Sequence, residues 1–147
     1  MKTLIVILIF IAFLQTTILP IDLVLLVLIC RAYIKLDKSN FYLAFFFGLL
    51  TSHLNLTNLG FQSLIYIFII QATENLSKSR LAGHPFWILP ISLIFLSLNQ
   101  MINSFFGYQT FSLQKLLFTS LLSLPILFLV RLWEERFIVR KEIKLRV

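Results

Sequence analysis

From Ser39 to Thr73 the chain runs for 35 residues without a single Asp, Glu, Lys or Arg. Drawn as one straight helix, that stretch would exceed about 50 Å, against roughly 30 Å for the hydrocarbon core of a bilayer. Its middle, Thr51-Ser52-His53-Leu54-Asn55-Leu56-Thr57-Asn58-Leu59-Gly60, is polar and closes on glycine, which is turn chemistry. The stretch therefore reads as a hairpin of two apolar helices, over about 40–52 and 59–75.

The rest of the chain is punctuated in the same way. Lys2 precedes eleven apolar residues, Leu4 to Leu14. The following Gln15-Thr16-Thr17-Ile18-Leu19-Pro20 offers no small-residue pair for a signal peptidase, so a first, uncleaved helix is expected over 3–19. Pro20 suits the first turn of a second helix over 20–36, where its missing N–H is harmless. Asp22 and the pair Arg31 and Lys35 mark its two ends, placed to snorkel towards opposite headgroup layers. Two more spans, over 86–106 and 111–133, are set off by Gly83 and Pro85 and by the turn Gly107-Tyr108-Gln109-Thr110. A basic tail, 134–147, follows. With 147 residues, 59 % hydrophobic and only 13 % charged, the chain is expected to be one all-α integral membrane domain of six transmembrane helices. A small soluble domain has too little interior for so much Leu, Ile and Phe.

The distribution of charge gives an orientation. With the amino terminus in the cytoplasm, the cytoplasmic positions are Lys2, Arg31, Lys35, Lys38, Lys78, Arg80, Arg131, Arg136, Arg140, Lys141, Lys144 and Arg146. These are twelve of the thirteen Lys and Arg residues, and only Lys115 falls outside. This is a strong positive-inside bias, and it places both termini in the cytoplasm. A single span over Ser39–Thr73 would divide the cationic connections between the two sides. The net charge of +7 is thereby assigned to membrane orientation, not to nucleic-acid binding.

Chemistry-bearing patterns are sparse. No Gly-x-Ser-x-Gly, His-Glu-x-x-His, Walker or dinucleotide-binding pattern occurs, so no catalytic residue, cofactor site or metal site is expected. His53 and His84 lack a metal-ligand spacing and read as loop residues. Cys30, the one cysteine, reads as a small buried or lipid-facing hydrophobe. Asn99 and Asn103 share a helix face, with Gln100 beside them. They suit either hydrogen bonding between helices or the lining of a cavity, and the first reading is favoured. In the tail, Trp133, Phe137 and Ile138 against Arg131, Arg136 and Arg140 read as a helix leaving the membrane through an aromatic belt into a basic, interfacial extension.

Two segments resemble the rod shape-determining protein MreD family. Leu19-Pro20-Ile21-Asp22-Leu23-Val24-Leu25-Leu26 is similar to that family's Pro-x-Asp helix opening. Ala44-Phe45-Phe46-Phe47-Gly48-Leu49-Leu50, followed by Leu59-Gly60-Phe61-Gln62-Ser63-Leu64, is similar to its Gly-Leu-Leu…Leu-Gly segment. The likeness extends from Leu19 to Gln71, and beyond that only hydropathy agrees. Ser52 stands where the family often has Asp.

The resemblance implies a six-helix bundle like the substrate-binding component of energy-coupling-factor transporters. It also implies a non-enzymatic role in bacterial cell elongation, in the inner membrane. The partners implied are a single-span MreC-like protein, MreB, and the peptidoglycan synthase RodA with its transpeptidase, and Gly48 is the candidate contact for a partner helix. A neighbouring helix of the same bundle is the other candidate to fill the notch at Gly48. The alternative function is a vitamin-binding transporter subunit. It would need an outer pocket of converging polar groups, for which Asn99, Gln100, Asn103 and Gln109 are the candidates. The outer connections near Thr16, Asn55 and Tyr108 carry no ionised residue, so no small-molecule ligand is expected.

Overall fold

In the computed structural model, residues 2–18, 21–78, 84–108 and 110–145 are described, with side chains as far as Arg136. They form six α-helices: α1 (Lys2–Thr17), α2 (Leu23–Ile34), α3 (Ser39–Leu54), α4 (Phe61–Lys78), α5 (Ile88–Phe105) and α6 (Leu113–Leu145). A single 3₁₀ turn, Pro85–Trp87, leads into α5, and the described residues contain no strand. Two segments, Pro85–Phe105 and Leu113–Arg136, are long and apolar enough to cross a membrane, and α1 and α2 are shorter apolar helices.

The helix α2 occupies the centre. All ten residues from Val24 to Tyr33 are buried, and α2 touches each of the other five helices. A helix apolar on every side has no other stable place. Around it the usual inside–outside order is partly reversed. Gln15, Asn40, Gln62, Ser63, Asn99, Asn103 and Ser123 are buried, while Phe10, Phe13, Phe46, Phe68, Leu121 and Phe128 are exposed.

The expected hairpin is present as α3 and α4, and its turn has a definite form. The Thr57 N–H donates to the Ser52 carbonyl at 3.0 Å, and the Leu56 N–H donates to that of His53 at 3.3 Å. This pair of bonds is a Schellman motif, which closes the last carbonyls of a helix through a left-handed residue. Leu56 is that residue, at φ 55°. Gly107 takes the same part after α5, with φ 76° and matching bonds from its own N–H and from Tyr108. Gly60, at φ 89°, turns the chain into α4.

Some boundaries and orientations differ from the sequence reading. Helix α2 begins at Leu23, and Pro20 lies outside the described residues, as does Gln109. Helix α6 begins at Leu113 and continues as one helix through Leu145, past the expected span and into the basic extension. Glu, Lys, Arg, Leu and Ile dominate that extension, and the first four are strong helix formers whatever their solvent. Phe137, Ile138 and Arg140 lie within it, beyond the described side chains. Arg31 does not snorkel to a headgroup layer: it is 2 % exposed, inside the bundle.

Candidate functional site

Polar side chains gather at both ends of α2. At its start, Asp22 occupies the position that normally caps a helix, yet makes no side-chain cap bond. Gln15 of α1 supplies the cap: its Oε1 accepts the Val24 N–H at 3.1 Å, meeting one of the orphan donors of the first turn. Asp22 is thereby released to face inward. Its Oδ1 accepts from Gln15 Nε2 at 3.4 Å, and its Oδ2 accepts from Asn99 Nδ2 at 3.1 Å. Asn99 is the hub of this end. Its Oδ1 accepts from Gln62 Nε2 of α4 at 2.9 Å and from Asn103 Nδ2 at 3.1 Å. The buried hydroxyl of Tyr66 lies beside Gln62 and Thr51. Asn99 thus joins α5 to α4 and to the start of α2, the interhelical role favoured above, whereas Asn103 bonds back to Asn99 on its own helix. A bond between membrane helices is typically worth about 0.6 kcal/mol.

Above this network lies a cavity of about 790 Å³, a size usual for a small-molecule site. Gln15, Asp22, Asn55, Gln100, Tyr108 and Lys115 are among its lining residues. The absence of ionised residues from the connecting turns did not anticipate this lining. Asp22 and Lys115 come from the first turns of α2 and α6, and the fold brings them to one cavity. Of the four candidates for such a pocket, only Gln100 lines it. Asn99 and Asn103 are taken up in the bonds beneath, and Gln109 is outside the described residues.

The other end of α2 is built on charge. Arg31 Nε meets Glu134 Oε1 of α6 at 3.4 Å, and Lys35 Nζ lies 3.8 Å from Glu134 Oε2. An Arg31 terminal nitrogen donates to Ser39 Oγ at 3.4 Å. Asn40 Nδ2 donates to Glu74 Oε1 and to the Lys35 carbonyl, both at 2.8 Å. Tyr33 donates to the His84 carbonyl and accepts, at its own carbonyl, from Ser77. In the connection between α2 and α3, Asp37 receives the Ser39 hydroxyl at 2.8 Å and the Ser39 N–H at 3.3 Å. These bonds, the hydroxyl's first, hold its carboxyl below the ordinary 3.8, with help from the nearby Lys35 and Arg31 charges.

Gly48 lies in the α3–α4 crossing. A Cβ built there would overlap Ser63 Cα and stand 2.8 Å from Ser63 N. The notch is filled by α4 of the same chain, the second of the two occupants considered from the sequence. Cys30 is buried in the core, with its Sγ 3.7 Å from the Ser123 carbonyl. His53 ends α3, and His84 precedes the 3₁₀ turn. Among the described residues no three His, Cys, Asp or Glu side chains converge as metal ligands.

Comparison with protein-family profiles, curated proteins and solved structures finds no match to this chain.

Proposed function

We propose that this chain is a multi-pass protein of the bacterial inner membrane with both termini cytoplasmic. In this reading it is a non-enzymatic subunit of the cell-elongation machinery, of the kind the MreD resemblance implies, working through a single-span MreC-like partner near MreB, RodA and its transpeptidase. The observation that carries the reading is the α3–α4 hairpin. Both glycines of the resembling segment sit where a side chain is disfavoured: Gly48 against the backbone of Ser63, and Gly60 at positive φ. The membrane part rests on the charge asymmetry, on two helices of spanning length and apolarity, and on an exterior of Phe and Leu around buried amides. In water such a surface is an aggregation liability, whereas in lipid it faces its own solvent. The test is depletion combined with affinity capture. Rounded, swollen cells and co-purification of a single-span partner are expected, and normal rods after full depletion, with no second copy present, would remove the role.

The cavity favours a second reading, the vitamin-binding subunit of an energy-coupling-factor-type transporter. Its lining of Asp22, Gln100, Asn55, Tyr108 and Lys115 is the convergence of polar groups that such a subunit needs. Ligand in large excess over its dissociation constant raises apparent stability. A reproducible thermal shift of the purified protein with riboflavin, thiamine or biotin would promote this reading over the first; the first expects none.

A further inference from the structure

A second compartment adjoins the cavity. Ser104 and Phe111 line the cavity and also line a shallower groove of about 410 Å³, completed by Met101 and Phe105. Met101, Phe105 and Phe111 are exposed, so the groove is an apolar trough on the outer surface of α5 and the approach to α6. A water-soluble ligand makes no use of such a trough, whereas an amphiphile uses both compartments. The membrane placement proposed above puts the groove at the depth where acyl chains begin, with the polar cavity opening towards the headgroups.

The lining of the cavity states what headgroup fits. Among its lining residues are two half-buried ones that carry acceptors, Asp22 with its carboxylate and Gln100, whose Oε1 atom is buried without a hydrogen-bond partner among the described residues. Lys115 also lines the cavity; it is exposed and forms no ion pair with a described carboxylate. A buried acceptor left unmet is costly, and a cation and a carboxylate lining one cavity suit a ligand with opposite charges at its two ends. We propose that the cavity and groove together bind an amino-phospholipid. Its N–H-bearing ammonium lies on Asp22 and Gln100, its phosphate on Lys115, and one acyl chain along Met101, Phe105 and Phe111. The site rests on the membrane placement alone and stands whether or not the protein acts in cell elongation.

The full chain, purified in maltoside detergent, is incubated with phosphatidylethanolamine or phosphatidylcholine of matched chains, or with free phosphoethanolamine. Retained lipid is counted by native mass spectrometry, and melting is followed in parallel. Phosphatidylcholine keeps the phosphate and the chains but has no N–H to donate. Phosphatidylethanolamine should be retained about tenfold more, the worth of one hydrogen bond to a charged group, and should raise the melting temperature where free phosphoethanolamine does not. Asp22→Asn should abolish the preference between the two lipids, and Lys115→Gln should weaken retention of both. Equal retention of the two lipids by the unaltered chain overturns the proposal without any variant. A melting shift from phosphoethanolamine equal to that from the lipid overturns it too, because the groove would then be idle.

Discussion

Arg31 and Glu134 are separated by 103 positions, yet Arg31 Nε lies 3.4 Å from Glu134 Oε1 with 2 % and 7 % of the two side chains exposed. The pair joins the central helix to the last one. Removing one member of a buried pair leaves an uncompensated charge, at about 3–5 kcal/mol. Glu134→Ala should therefore destabilise the protein by roughly 3 kcal/mol, read from denaturant or thermal unfolding in detergent. Glu135→Ala is the control. It breaks the exposed pair with Arg131 and should cost about 0.5 kcal/mol or less.

The Gly48 crossing predicts a substitution that no partner change can rescue. Gly48→Ala places its new carbon against the Ser63 backbone, and overpacking of this kind costs about 1–3 kcal/mol. Because the two nearest obstructing atoms are the backbone Cα and N, with the Ser63 Oγ third at 2.9 Å, Ser63→Gly should fail to restore most of the loss. Recovery of stability in the double variant would show that the side chain, not the backbone, sets the spacing of α3 and α4.

Leu56 offers a gain. It is 91 % exposed and holds a left-handed conformation that costs a residue with a Cβ about 1–2 kcal/mol. Leu56→Gly should stabilise the hairpin by about 1 kcal/mol, after the greater freedom of glycine in the unfolded chain is subtracted. Unfolding of the two proteins under identical conditions measures it.

Asp37 gives the α2–α3 connection a pH dependence of known sign. Its carboxyl is held below 3.8 in the folded chain, first by the Ser39 hydroxyl. The unfolded state therefore binds the proton more readily, and the contribution of Asp37 is full above 3.8 and is lost as pH falls through its folded value. The stability gap between the parent and Asp37→Ala should be constant at neutral pH and narrow in acid. A gap that does not change from about pH 6 to about pH 3 would show that the charge contributes nothing.

The proposed topology is checked with reporters. Fusions after Lys38, Arg80 and Val147 should read cytoplasmic, and those near Asn58 and Tyr108 external. A cytoplasmic signal at Asn58 would be incompatible with α3 and α4 as a membrane hairpin and would leave the lipid site without its setting.

The parts of this architecture that were legible from sequence are those written in short-range chemistry. The break between α3 and α4 shows as polar residues ending in Gly60, and the i, i+4 spacing of Asn99 and Asn103 puts both on the buried face of α5. The parts that were not legible depend on distant segments meeting. Nothing near Arg31 points to Glu134, and its place at a helix end fits an exposed residue as well as a buried one. The inward turn of Asp22 depends on Gln15 taking over its capping bond from another helix. The convergence of Asp22 with Lys115 likewise requires α2 and α6 to start at the same end of the bundle. The run of α6 past the span left its signal in the four-residue spacing of Trp133 and Phe137, which reads as a helix continuing into the basic extension.

The shortness of α2 shapes the whole bundle in a bilayer. Twelve residues rise about 18 Å, well under the roughly 30 Å of hydrocarbon that surrounds them. In the proposed membrane setting, the difference in height is taken up within the protein. The two ends of this short helix are therefore unlike: at Asp22 it opens on the cavity, whereas at Arg31 it is closed off by Glu134 of α6.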